Sequence, residues 1–157
     1  MTHIPDESDF EYYPMTEGLG FIGIGWLSSS CDYSKGDVPE DFFESLCSLL
    51  KNRWDPPITS AGVHRCEFCR FSGGPGTFHY KDFKLSSHSS SEIFVPYEGR
   101  VYVAPENIVH YIDCHEYCPS KEFQKAVIEC PDMGSPAYLK QILDGGVREW
   151  MQRMKRK

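Results

Sequence analysis

Cys66-Glu67-Phe68-Cys69 and the run from His110 to His115 (HYIDCH) are the residues of this chain best suited to chemistry. Two thiols three positions apart form a knuckle that can grip one metal ion, with the backbone N–H groups of the turn aimed at the sulfurs. Two imidazoles five positions apart complete the pattern C-x2-C…H-x4-H, and both half-spacings lie within the range of structural zinc sites. The 40 residues between Cys69 and His110 exceed the insert of a small finger and leave room for two hairpins. Cys66, Cys69, His110 and His115 are therefore the candidate metal ligands, and Zn2+ in a structural role is the candidate cofactor. Zinc is preferred to iron as the redox-inert clamp.

Spacing raises one competing assignment. On an ideal helix a step of five turns a side chain by about 140°, whereas residues at i and i+4 share a face. His110 would then pair more naturally with Cys114 than with His115, unless the helix tightens or ends near Cys114. The fourth position is assigned to His115, with Cys114 as its alternative and Cys118 further off. Two thiolates and two neutral imidazoles cancel the charge of a divalent ion and close its shell. A catalytic zinc would instead keep a position open for water beside a general base. Glu67 and Glu116 are nearby carboxylates, but neither falls in an H-E-x-x-H arrangement.

Other chemistries are weaker on this sequence. A redox dithiol usually opens a helix in a thioredoxin-like pattern, while strand-like residues surround Cys66 and Cys69. Gly18, Gly20 and Gly23 match G-x-G-x-x-G, but no strand precedes them and extended residues follow. Cys47 lies on an apolar helix face with no partner to activate it. His79 and His88 read as ordinary polar residues, and His64 as a group supporting the knuckle. Seven cysteines leave a disulfide framework with an odd thiol, so reduced thiols and metal ligands are expected.

The 157 residues are 40% hydrophobic and 25% charged, the composition of an ordinary globular domain. No apolar run approaches the ~20 residues of a membrane span, and the acidic start MTHIPDESDF does not resemble a secretory signal. A cytoplasmic location and no membrane partner are expected. Net charge is −7, with ten acids against Lys35 in residues 1–44 and five cations against Glu149 in the last ten residues. Phosphate binding would favour a basic stripe over the folded body, so nucleic acid is not expected as a partner and the basic end reads as a solvated, frayed helix terminus.

The elements that must position these residues fall into three parts. Residues 1–17 form an acidic arm interrupted by Pro5 and Pro14, 18–146 a single metal-stabilised domain, and 147–157 a basic C-terminal helix or tail. Leu19 to Leu27, interleaved with glycines, suggest a strand with close backbone approach. A helix is expected from Asp37, as N-cap, through Phe42, Phe43, Leu46, Leu49 and Leu50. TFHYKDFKL reads as extended, and EIFVPYEGRVYVAP as a hairpin turning at Tyr97-Glu98-Gly99. Pro105 is expected to open the helix that carries His110. Ser120 and Ser135 begin two more, and Gly145-Gly146 break the last before the basic end. The fold expected is α+β, a small antiparallel sheet with a zinc knuckle packed against three to four helices.

HRCEFC at 64–69, VYVAPENIVHYIDCHEYCP at 101–119, CPDMGSPAYL at 130–139 and GWL at 25–27 together resemble a group of small bacterial proteins of unassigned function. Those proteins carry G-W-L, H-R-C-E-F-C, A-P-x-x-I-x-H-Y-x-x-x-H-x-Y and C-P-x-x-G-S-x-x-Y-L. The resemblance implies Cys66, Cys69, His110 and His115 as the shared set, Cys114 as a local variation, and no reaction. It also places the helices after Pro119 and Gly134 in the same domain. The function expected is a non-enzymatic, zinc-stabilised module that binds a protein, in keeping with a closed metal shell and 14% aromatic residues. An acidic surface suits a basic partner, as an immunity protein meets a toxin or nuclease. The alternative is a metal-dependent hydrolase or nuclease with an open zinc position.

Overall fold

A computed structural model describes residues 3–59, 66–69, 77–86 and 91–156. The framework grows from a hairpin whose residues are apolar on both faces, β5 (Glu92–Tyr97) and β6 (Arg100–Pro105). All six residues of β5 and five of β6 are buried, so layers must cover both sides. Before it along the chain come β1 (Ser8–Asp9), β2 (Phe21–Gly23), α1 (Glu40–Lys51), β3 (Thr77–Tyr80) and β4 (Phe83–Ser86). After it come α2 (Ile108–His115), α3 (Lys121–Glu129), α4 (Pro136–Ile142) and α5 (Arg148–Lys155).

The four-stranded sheet has the order β1-β2-β6-β5, and β3 and β4 form a separate antiparallel pair. The architecture is α+β, but its sheet is mixed, because β2 lies parallel to β6 with Phe21 opposite Val101. A parallel neighbour needs a long crossover, and local patterning carries no signal for it. Trp26 Nε1 donates to the Val103 carbonyl (2.9 Å) and Tyr138 Oη to the Phe94 carbonyl (2.8 Å), which satisfies the polar tips of two core aromatics. Among the described residues no helix is long and apolar enough to cross a membrane.

Two helix starts differ from expectation. Pro105 stays on β6 opposite Glu92, and the Glu106 N–H donates to the Ser91 carbonyl (3.0 Å), so the ladder runs on and α2 begins only at Ile108. Likewise α1 begins at Glu40 after Pro39, whose backbone is extended, and Asp37 gives no cap. Ser120 and Ser135 do cap α3 and α4, accepting from the N–H groups of Phe123 and Tyr138.

The two ends of the chain pack on each other. Ile4, Phe10, Tyr13 and Thr16 of the N-terminal segment are buried, and Ser8–Asp9 pair as an edge strand. Asp6 accepts from the Gly25 N–H (2.8 Å) and the Tyr117 hydroxyl (2.7 Å), so its charge serves the fold. The basic end is docked rather than frayed. Trp150 of α5 is fully buried and its Nε1 donates to the Pro14 carbonyl (3.1 Å). Arg153 Nη1 donates to the carbonyls of Met15 and Glu17. Gly146, at φ 123°, sets the kink that turns α4 into α5.

α2 is the element that reaches from this framework to the Cys/His residues. Its first turn is buried in the core through Ile108, Val109 and Tyr111. A Cβ at Gly25 would lie 2.9 Å from Ile108 Cδ1, and Gly25 has a φ of 73°. Only glycine lets the backbone after β2 approach the helix this closely.

Candidate metal centre

α2 ends where its second histidine is needed. Glu116 adopts a left-handed conformation (φ 56°) and closes the helix on the Tyr111 carbonyl. The Tyr33 hydroxyl donates to the carbonyl of His115 (3.0 Å), fixing that last residue from outside the helix. With His110 buried one and a half turns earlier, both imidazoles reach from α2 toward the knuckle at Cys66–Cys69. Their rings meet edge to face at 4.9 Å between centroids. The reach of two imidazoles bridges the angular gap that a step of five leaves, and it is His115, not Cys114, that joins the cluster.

The donor atoms converge. Cys66 Sγ lies 3.2 Å from His115 Nε2, Cys69 Sγ 3.2 Å from His110 Nε2 and 3.5 Å from His115 Nε2, and the two Nε2 atoms are 3.3 Å apart. All four lie within 4.8 Å of one another. A tetrahedral ion with bonds of about 2.3 Å to sulfur and 2.0–2.1 Å to nitrogen has edges of about 3.5 Å (S···N) and 3.3 Å (N···N). The spacing fits that shell, and the donor set suits zinc or iron.

Cys114 and Cys118 are not brought in. Cys114 is exposed, with its thiol toward the Asp113 carboxylate (3.6 Å), and Cys118 faces the carbonyls of Asp37 and Pro119. His79 is exposed on β3, while His64 and His88 lie outside the described residues. Cys47 is buried in α1, where burial pushes its thiol to about 12, as an inert core residue requires.

Protonation at the cluster suits a ligand set waiting for a cation. Burial holds His110 and His115 below the usual histidine range, with His115 lowering His110 further and Lys35 lowering His115. Neutral imidazole is the ligating form. Burial pushes the Cys66 thiol up to about 11, against the opposing pull of the Phe68 and Cys69 N–H groups on its sulfur. A divalent charge would favour both thiolates, releasing protons as it binds. Nδ1 of His110 is buried and has no hydrogen-bond partner among the described residues.

Two further residues hold the knuckle, and little in the pattern of residues points to their roles. Glu67 Oε2 accepts from the Ser29 N–H (2.9 Å) and from the hydroxyls of Ser28 and Ser29 (3.1 Å each). These bonds hold its carboxyl below the usual range. Phe68 packs its ring against Tyr33, Tyr111 and His115 at centroid distances of 5.2, 5.9 and 5.3 Å. Ser28 and Ser29 are separated from Glu67 by almost forty positions, so only the fold shows that they meet.

Residues 2–128 match the family model of a domain of unknown function, DUF7919, and the chain belongs to that family. The matched span contains all four donor residues, and 130–139 lie beyond it. No curated protein and no solved structure matches the chain.

Proposed function

We propose that this chain is a non-enzymatic protein-binding module stapled by one structural zinc ion on Cys66, Cys69, His110 and His115. The observation that carries the reading is the convergence of four protein donors within 4.8 Å of one another, with the Cys66–His115, Cys69–His110, Cys69–His115 and His110–His115 separations at 3.2–3.5 Å. Four protein ligands leave no coordination position for a reacting water, which separates a structural site from a hydrolytic one. The carboxylate between the cysteines is also committed, since Glu67 is bound to Ser28 and Ser29. With the metal serving the fold, the surface is left to do the work, and a net charge of −7 suits a basic protein partner. A role of the immunity type, against a basic toxin or nuclease, is compatible with that charge.

X-ray absorption at the zinc edge of the metal-loaded chain tests the shell. Two sulfurs at about 2.3 Å and two nitrogens at about 2.0 Å are expected. Replacement of one protein donor by an oxygen from water would transfer support to a metal-dependent hydrolase or nuclease.

A further inference from the structure

Beside the end of α2 an open groove of about 340 Å³ runs toward the start of α1. Its floor is apolar, made by Val38, Phe43, Tyr80 and Ile112, with Phe43 and Tyr80 packed edge to face at 4.7 Å. Asp37, Glu40, Asp113 and Glu116 line it as exposed carboxylates. Glu40 is engaged by Lys81, which also contacts Glu44. Asp37, Asp113 and Glu116 are in no ion pair among the described residues.

An acidic rim over an aromatic and aliphatic floor selects one kind of occupant. A phosphate-bearing ligand would meet three unneutralised carboxylates. A metal ion would need converging donor atoms, and among the described residues the Cys/His cluster is the one place where three or more Cys, His, Asp or Glu donors come together. It would also leave the floor unused. A long basic side chain uses both parts, laying its methylenes on apolar surface while its head meets the carboxylates. The chain already holds one of its own side chains this way. The Lys81 ammonium sits 5.5 Å from the centre of the Tyr80 ring while bridging Glu40 and Glu44.

We infer that this groove docks an arginine side chain from a basic segment of a protein partner, with its stem on Val38, Phe43 and Ile112 and its guanidinium among Asp37, Asp113 and Glu116. Arginine suits it better than lysine because the planar head can engage two carboxylates and stack on a ring at once. The inference rests on the protein-binding reading above and locates its contact. One wall of the groove is the helix end that carries His115, so the metal site and the docking surface share a support.

The test is an NMR titration of the full, zinc-loaded chain with acetyl-Leu-Arg-Leu-Arg-Leu-amide. A matched peptide with citrulline in place of arginine keeps the shape and removes the charge. Saturable shifts are expected at the amides of Gly36, Val38, Ile112 and Glu116. Binding should weaken at least tenfold for the citrulline peptide and for the double variant Asp37→Lys with Asp113→Asn, whose zinc content is measured alongside. Equal affinity for both peptides, unchanged affinity in the double variant with zinc retained, or shifts confined to other surfaces would overturn the groove. An absence of binding by the zinc-loaded parent would overturn it too, while leaving the metal site standing. Arginine-dependent shifts at these amides in a chain shown to carry no zinc would support the groove and remove the metal reading instead.

Discussion

The hairpin core and the knuckle are stabilised by different means. Around β5 and β6, Ile93, Phe94, Val95, Val101, Tyr102, Val103 and Ala104 are at most 1% exposed. Phe94 stacks near Trp150 and meets Trp54 edge on. Such a region is held by apolar burial, at roughly 25 cal/mol per Å2 removed from water. The Cys66–Cys69 turn has one aromatic anchor in Phe68, one tied carboxylate in Glu67 and two sulfurs set against the two imidazoles of α2. The contrast teaches that the hairpin is held by packing alone, whereas at the knuckle, on the reading proposed above, the binding energy of an ion would become folding energy. α2 belongs to both, with its first turn in the core and its last in the cluster.

Removing the metal should separate the two regions most sharply. Chelation is expected to raise amide exchange at Phe68, Cys69 and His115 by on the order of a hundredfold or more, with β5 and β6 changing far less. Equal loss of protection throughout would erase the distinction. The converse perturbation is Trp150→Ala, which should cost about 3–5 kcal/mol of unfolding free energy in denaturant titration. Because it lies in the other region, zinc content should be unchanged in the fraction that remains folded.

Glu106 stands at the joint, between β6 and α2, buried beside Arg53 with Nη1 3.7 Å from Oε1. Burial raises its carboxyl to about 7 against the opposing pull of Arg53. A group whose folded pKa lies above its unfolded value favours the native state while protonated. That contribution is lost as pH rises from the unfolded value of about 4.3 through the folded one. Glu106→Gln should therefore raise the unfolding midpoint more at about pH 8 than at about pH 5.5, by a free energy on the order of 1–3 kcal/mol. A gain independent of pH would contradict the assignment. Smallest of the four, Glu67→Ala releases the knuckle from Ser28 and Ser29, and competition with a chromophoric chelator should show zinc bound roughly tenfold less tightly.

How far the sequence was legible depended on the range of the interaction. The four clustered residues could be read because C-x2-C and H-x4-H are each local, and the β5–β6 hairpin because its turn and alternation are contiguous. His115 is preferred to Cys114 on the H-x4-H spacing alone, while the left-handed Glu116 and the Tyr33 bond to the His115 carbonyl, which set that residue at the cluster, are not visible in spacing. The parallel pairing of β2 with β6 joins segments nearly eighty residues apart. The acidic N-terminus reads as an arm because charge usually faces water, yet Asp6 accepts from Tyr117, and Glu7 accepts from Tyr102 and Ser120. Trp150 drew in a basic end whose charge had suggested fraying.

Elemental analysis of the purified chain beside Cys66→Ser, His110→Ala and Cys114→Ser tests the central claim most directly. The account predicts a single zinc ion per parent chain, retained in Cys114→Ser and lost from both Cys66→Ser and His110→Ala. Equal metal content in all four chains, or loss from Cys114→Ser alone, would contradict it.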